Sequence, residues 1–257
     1  MPTTGVLYFV IGDPRGRYLN KAVLSVTSLK RHMPWIKAVL FTDTDREIDK
    51  HFDQVIHTEP PRKKDIWLYK YRCFLQSPFE HTLHMDADTY ICDDFSEVFE
   101  MLDQFDFVTC LSPQYYDVND KTEDVPSCFP EVAGGFMLWK RNQVTTKLWN
   151  SMLELLPYRS WRRADEPALR KAMYWSPVRY AILPWEYTCV FSMPGYLMGK
   201  VKVMHGRRKT IVRDAEIFNK VADKRVYSGA NLFRLKSAKG KYMALDEVVK
   251  YGWETKR

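Results

Sequence analysis

The chain has 257 residues, 46% of them hydrophobic and 28% charged, with a formal net charge of +7, which describes a globular chain able to bury a full core and drawn to anionic partners. No apolar run approaches the roughly 20 residues needed to cross a bilayer, and the opening "MPTTGVLYFVIGDPRG" lacks the basic start and small-residue cleavage site of a signal peptide. The five cysteines, Cys73, Cys92, Cys110, Cys128 and Cys189, are widely spaced without a C-x-x-C pair, so neither a disulfide framework nor a zinc knuckle is expected and the chain reads as cytoplasmic.

In chain order, "GVLYFVI" reads as a first strand. Leu19, Ala22, Val23, Val26 and Leu29 then recur at helical spacing, with Pro34 after the expected end. "KAVLFTD" is a second strand and "FDQVIH" a short third. A helix at "DIWLYKYRCFLQ" leads into the strand "HTLHM", after which "DFSEVFEMLDQF" reads as a helix and "DFVTC" as a strand. This alternation predicts an α/β chain built on a mainly parallel, doubly wound sheet with helices on both faces. Ligands of such sheets collect at the C-terminal strand ends, where Asp86 falls.

The second half is less regular. "SPQYYDVNDKTEDVPSCFP" is a polar loop bearing prolines, followed by the apolar "EVAGGFMLW" and by helices near "QVTTKLWNSMLELL" and "DEPALRKAMYW". From Lys209 onward the chain turns strongly basic. With no internal repeat, low-complexity tract or glycine and serine linker, the expectation is one compact catalytic domain over residues 1–210 and a basic C-terminal extension over 211–257 packed on or beside it.

Asp86 and Asp88, one residue apart behind an apolar strand, point to the same side if strand geometry persists and can both reach one cation. Turn chemistry is the plainer explanation of such a pair. A second apolar run ends at His205 and Gly206, ahead of Arg207, Arg208 and Lys209. An imidazole beside two carboxylates makes a mixed oxygen and nitrogen set that suits manganese better than magnesium or calcium, and the basic residues after it could meet a diphosphate. Read alone, Lys70 is a solvent-facing helix lysine, and Asp165 with Glu166 before Pro167 is a helix start, the aspartate serving as N-cap.

Taken together and in order, Tyr18 heading the first helix, Lys70, "LHMDADTYI", "VAGGFMLW", "ADEPAL" and "MHG" resemble the GT-A glycosyltransferases, most closely glycosyltransferase family 8, the glycogenin and bacterial galactosyltransferase group. The resemblance runs from about residue 5 to residue 209 and implies a GT-A fold. It implies that Tyr18 stacks on uracil, that Lys70 lies near the sugar and phosphates, that Asp86, Asp88 and His205 hold manganese (magnesium being the alternative), and that Asp165 faces the donor sugar. The nucleotide-sugar site would also include Ala87, Gly134, Gly135, Gly206 and Lys209. Ala133 stands where the family carries an asparagine, and Lys209 follows the His-Gly pair earlier than the family lysine does.

The implied reaction moves a sugar from a UDP-sugar donor to a glycan, glycolipid or other hydroxyl acceptor, with retention of configuration as in family 8. Cleaving a glycosyl to phosphate bond leaves a diphosphate whose growing charge a divalent cation and basic side chains stabilise. A carboxylate near the sugar can stabilise the oxocarbenium-like transition state or take the acceptor proton, and Asp165 and Glu166 are the catalytic candidates. If configuration is inverted, one of them must be the base. The competing readings are a sugar-phosphate nucleotidyltransferase and a basic nucleic-acid-binding protein. Against the first, "VIGDPRGRYLN" lacks the denser glycine-rich loop that wraps a triphosphate. Against the second, "WRR", "HGRRK" and "RLKSAKGKY" accompany no zinc finger, helix-turn-helix or RNP signature, so no specific nucleic acid is expected. The basic surface could instead meet an anionic membrane, with no transmembrane segment.

Overall fold

The computed structural model describes residues 3–60, 62, 65–112, 124–158, 165–191, 193, 195–207, 209–220, 223–228, 234–236 and 242–244. Most of the polar loop, the "WRR" run, Arg208 and much of the basic tail lie outside them.

The central sheet has seven strands: β1 (Thr4–Val10), β2 (Lys37–Thr42), β3 (Gln54–His57), β4 (His81–Met85), β6 (Phe107–Leu111), β7 (Val132–Lys140) and β8 (Tyr180–Leu183). Their order is β3-β2-β1-β4-β7-β6-β8. Parallel pairs join β1 to β2 and β4, β2 to β3, and β6 to β8, while β7 runs antiparallel to both β4 and β6. The mainly parallel sheet is therefore as expected, with one reversed strand inserted at its middle.

Burial on both faces explains why β1 is an unbroken apolar run and does not alternate with polar residues. Val6, Tyr8 and Val10 enter one core, with Leu19, Ala22, Val26 and Leu29 of α1 (Arg17–His32). Leu7 and Ile11 enter the other, with Tyr71 and Phe74 of α2 (Ile66–Leu75), Leu148, Trp149 and Met152 of α3 (Gln143–Leu155), and Leu169 and Met173 of α4 (Glu166–Trp175). The segment expected as a helix after Asp94 is a 3-10 helix, Ser96–Asp103, which turns Val98 and Leu102 into the first core.

Two smaller sheets accompany the large one and were not anticipated from sequence. β5 (Thr89–Ile91), β11 (Val203–His205) and β9 (Cys189–Val190) form one. β10 (Gly195–Leu197), β12 (Arg225–Ser228), β13 (Arg234–Lys236) and β14 (Tyr242–Ala244) form the other. α5 (Ile211–Asn219) contributes Ile211, Ala215 and Phe218 to a third core with Cys189, Phe191 and Met204. Because β12 pairs with β10, the chain beyond residue 211 is tied back to the segment preceding His205.

Helix ends follow local chemistry. Asn142 caps α3 through a reciprocal pair of bonds, its side chain accepting from the Thr145 amide at 2.9 Å and the Thr145 hydroxyl accepting from the Asn142 amide at 3.2 Å. α1 starts differently. Gly16 takes a left-handed conformation, φ 66°, at the N-cap. The carboxylate of Asp13 reaches into the first turn, accepting from the amides of Arg17 at 3.0 Å, Tyr18 at 2.6 Å and Leu19 at 3.0 Å. It satisfies donors that every helix leaves open at this end. No described helix is long and apolar enough to cross a membrane.

Candidate active site

Strand β4 stops at Met85, so extended geometry does not carry Asp86 and Asp88 to one side as the sequence suggests; a turn at Ala87 and Asp88 does. Ala87 is buried among the first core's residues. The chain then enters β5, and the antiparallel pairing of β5 with β11 sets Thr89 opposite His205. The Gly206 amide donates to the Asp88 carbonyl at 2.8 Å, fastening this corner.

Ligand atoms of Asp86, Asp88 and His205 thereby lie within 4.8 Å of one another. His205 Nε2 is 3.4 Å from Asp86 Oδ2 and 3.5 Å from Asp88 Oδ1. Its Nδ1 lies 3.3 Å from the Thr188 hydroxyl, which can accept the Nδ1 proton and leave Nε2 facing the carboxylates. Burial pushes the His205 imidazolium toward losing its proton, but the two carboxylates outweigh it and hold its pKa up at about 10. Burial likewise pushes the Asp86 carboxyl up, and Lys70, His205 and His84 overcome it, leaving Asp86 well below the usual carboxylate range. Asp88 is lowered too, burial being outweighed chiefly by His205. Without a cation, His205 is the positive partner of the acid pair.

The floor of the cluster is β7. The Asp86 amide donates to the Gly135 carbonyl at 3.0 Å. A Cβ at Gly135 would sit 2.5 Å from His205 Cε1 and 2.7 Å from Asp86 Oδ2, so only glycine leaves the cluster its space. One residue earlier, a Cβ at Gly134 would lie 3.1 Å from Asp165 Oδ1 and 3.5 Å from Lys70 Nζ. The glycine pair thus underlies two adjoining arrays.

The second array overturns two of the plain readings. Lys70 is not solvent-facing but buried, its Nζ donating to the Gly134 carbonyl at 2.9 Å and to Asp165 Oδ2 at 3.1 Å. Asp165 sits at the N-cap position of α4 but makes no capping hydrogen bond with its side chain. Its Oδ2 also accepts from the Tyr71 hydroxyl at 2.9 Å. Burial drives the Lys70 ammonium toward neutrality, yet Asp165 and Asp86 more than restore it, so its pKa is raised. Among the described residues, no cation makes an ion pair with Glu166. Burial and the neighbouring Asp165 push its carboxyl up to about 8, against the weaker pull of Lys70.

Tyr18 and Lys209 stand further out. Tyr18 is 37% exposed, and the Arg207 guanidinium lies 5.5 Å from its ring centroid while its Nε is 3.6 Å from Asp88 Oδ2. Lys209 is exposed, and among the described residues no hydrogen bond or ion pair ties it to the cluster. Tyr71, Thr188 and His84 were not picked out from sequence. Tyr71 and Thr188 act through partners far along the chain and carry no spacing signal. The alternation of β4 does place His84 on the Asp86 side of the strand.

No protein-family model and no curated protein matches the sequence. Solved structures do match the architecture. The apo form of mouse xyloside xylosyltransferase 1 superposes with a TM-score of 0.56 at 13% identity, over 79% of this chain and 97% of that one. The glycosyltransferase GlyE of Streptococcus pneumoniae TIGR4 gives 0.58 at 13% identity, over 86% and 58%. The galactosyltransferase LgtC, bound to donor and acceptor sugar analogs, gives 0.58 at 10% identity, over 84% and 94%. The chain has the GT-A fold of these glycosyltransferases.

Proposed function

We propose that this protein is a metal-dependent glycosyltransferase that moves a sugar from a UDP-sugar to a hydroxyl acceptor with retention of configuration. The observation that carries the reading is the Asp86, Asp88 and His205 cluster at the carboxyl end of β4, floored by Gly135, in a GT-A fold. Two carboxylates and one imidazole fit manganese, with magnesium the poorer match to the nitrogen. A cation held there would act as a Lewis acid on the departing diphosphate. Tyr18 offers a ring to the uracil, and Gly206, Arg207 and Lys209 follow the cluster toward the phosphates. Ala87 and Gly134 give the donor its close backbone approach.

The buried Lys70 and Asp165 pair fits the donor-sugar end, fixing a carboxylate where positive charge develops on the sugar. Asp165 is committed to Lys70 and Tyr71, while burial and Asp165 push the Glu166 carboxyl up to about 8. Asp165, so engaged, is not a ready base for the acceptor hydroxyl, which fits retention; Glu166 would be the base if configuration were inverted. A cytoplasmic setting and contact of the basic surface with anionic membranes belong to the same reading.

Calorimetric titration with UDP, with and without manganese, tests it beside an assay of UDP-sugar hydrolysis. Binding should need the metal and be lost in Asp86→Ala and Asp88→Ala with little change in thermal midpoint. Metal-independent UDP binding that survives both substitutions would overturn the metal reading, and no affinity for UDP or UDP-sugars would overturn the enzyme.

A further inference from the structure

Tyr8, Ser25 and Thr89 bring three buried hydroxyls together between β1, α1 and β5. The Tyr8 hydroxyl lies 3.0 Å from that of Ser25, which lies 2.7 Å from that of Thr89. Thr89 in turn donates to the Asp86 carbonyl at 2.9 Å. Each hydroxyl has one proton to give and a carbonyl only accepts, so the direction of the chain is set. Thr89 gives its proton to Asp86 and accepts from Ser25, which accepts from Tyr8.

Packing does not call for these groups. A phenylalanine at position 8 would keep the edge contact with Phe52, whose ring centroid is 5.7 Å from that of Tyr8, and alanine and valine would fill the other two places with no polar atom to satisfy. What the hydroxyls add is their end point, the backbone of Asp86. The Asp86 amide already donates to the Gly135 carbonyl on β7, so the Thr89 bond leaves both backbone groups of this residue held. Thr89 also stands opposite His205 in the pairing of β5 with β11. One residue therefore closes the turn that carries Asp86 and Asp88 and faces the strand end that carries His205. Ser28, one turn further along α1, makes a second link to β5 by accepting from the Ile91 amide at 3.0 Å, but it gives its proton to the Ser25 carbonyl at 2.7 Å and makes no bond to Asp86.

We propose that Thr89 is a positioning residue for metal binding, its hydroxyl oriented by Ser25 and Tyr8 and holding the turn in the conformation that brings the Asp86 and Asp88 carboxylates to one cation with His205. The proposal rests on the metal reading of that cluster. Partners that orient metal ligands are worth about 10- to 100-fold in metal affinity. Because Thr89 holds the backbone of a ligand and not its ligating oxygen, its loss should cost about tenfold, the lower end of that range.

The test is manganese binding by calorimetry, with thermal midpoints alongside, in wild type, Thr89→Val, Thr89→Ser, Ser25→Ala and Ser28→Ala. Thr89→Val keeps the branched shape and loses the hydroxyl, and should bind about tenfold more weakly. Thr89→Ser keeps the hydroxyl and should recover wild-type affinity although it gives up a methyl group. Ser28→Ala breaks the neighbouring link and should lower the midpoint with affinity unchanged, which separates positioning from a general loosening of α1 against β5. Wild-type affinity in Thr89→Val, equal weakening in Thr89→Val and Thr89→Ser, or weakening in Ser28→Ala as large as in Thr89→Val would overturn the proposal. Should Thr89→Val not fold, Ser25→Ala carries the test: without the proton from Ser25 the Thr89 hydroxyl is less firmly oriented, and affinity should fall several-fold, unchanged affinity counting against the role. Wild type that binds no divalent cation would be the distinct failure of the metal reading, and Thr89 would lose this role with it.

Discussion

Replacing Lys70 by methionine should cost the fold about 3 to 5 kcal/mol, a large share of the 5 to 15 kcal/mol that holds a typical domain together. The change removes two hydrogen bonds, to the Gly134 carbonyl and to Asp165, and leaves a carboxylate whose side chain is 3% exposed with the Tyr71 hydroxyl as its remaining described partner. Methionine nearly fills the lysine stem's volume, so the loss comes from the unpaired charge, with little cavity. Asp165→Asn should cost less, about 2 kcal/mol, because a neutral amide oxygen still accepts from Lys70. The double variant Lys70→Met with Asp165→Leu removes both charges and should be more stable than the sum of the single changes by about 1 to 3 kcal/mol. Urea unfolding followed by tryptophan fluorescence at two salt concentrations measures each value, and the coupling should be insensitive to salt because the pair is shielded from solvent. Single costs below about 1 kcal/mol, or strict additivity, would refute the argument that this pair is a coupled buried unit.

Gly135→Ala should abolish manganese binding, since its Cβ would fall 2.5 Å from His205 Cε1, whereas Gly199→Ala, with nothing within 4 Å of its Cβ, should bind as wild type; calorimetry compares them. Glu166→Gln should be stabilising at alkaline pH. The folded carboxyl keeps its proton up to about 8 while the unfolded one loses it near 4.5, so wild-type stability falls across that window and the glutamine is spared the loss. Unfolding free energies should coincide at pH 4 and favour the variant by about 1 to 3 kcal/mol at pH 8, discounted for a half-buried group. Because the acid pair holds His205 protonated up to about 10, manganese should displace about one proton at pH 7.5 and bind more tightly as pH rises; calorimetry in buffers of different ionisation enthalpy counts it. A count near zero would mean that His205 does not ligate the ion.

Patterns confined to one element were legible in the sequence. Unbroken apolar runs marked strands buried on both faces, the spacing of Leu19, Ala22, Val26 and Leu29 marked α1, and the position of Asp86 at a strand end pointed to the candidate cluster. Features set by distant partners were not. The reversal of β7 is a property of its pairing with β4 and β6, which no local pattern encodes. Lys70 and Asp165 look like surface helix residues because each carries a charge, and their mutual compensation becomes visible only when α2 and α4 meet over Gly134. The strand geometry expected for the Asp pair failed because the chain turns at Ala87, and the pairing of β5 with β11 brings His205 to the acids instead.

The head of α1 has a consequence for selectivity. In many doubly wound proteins the first helix offers free amides to a phosphate, but here Asp13 occupies those donors with a carboxylate belonging to the chain itself. An anion approaching that corner meets negative charge, so free phosphate, sulfate or a nucleotide stripped of its counter-ion has no ready seat there. On the proposed reading, discrimination at this corner would then favour a ligand that arrives with, or finds, a cation beside Asp86 and Asp88.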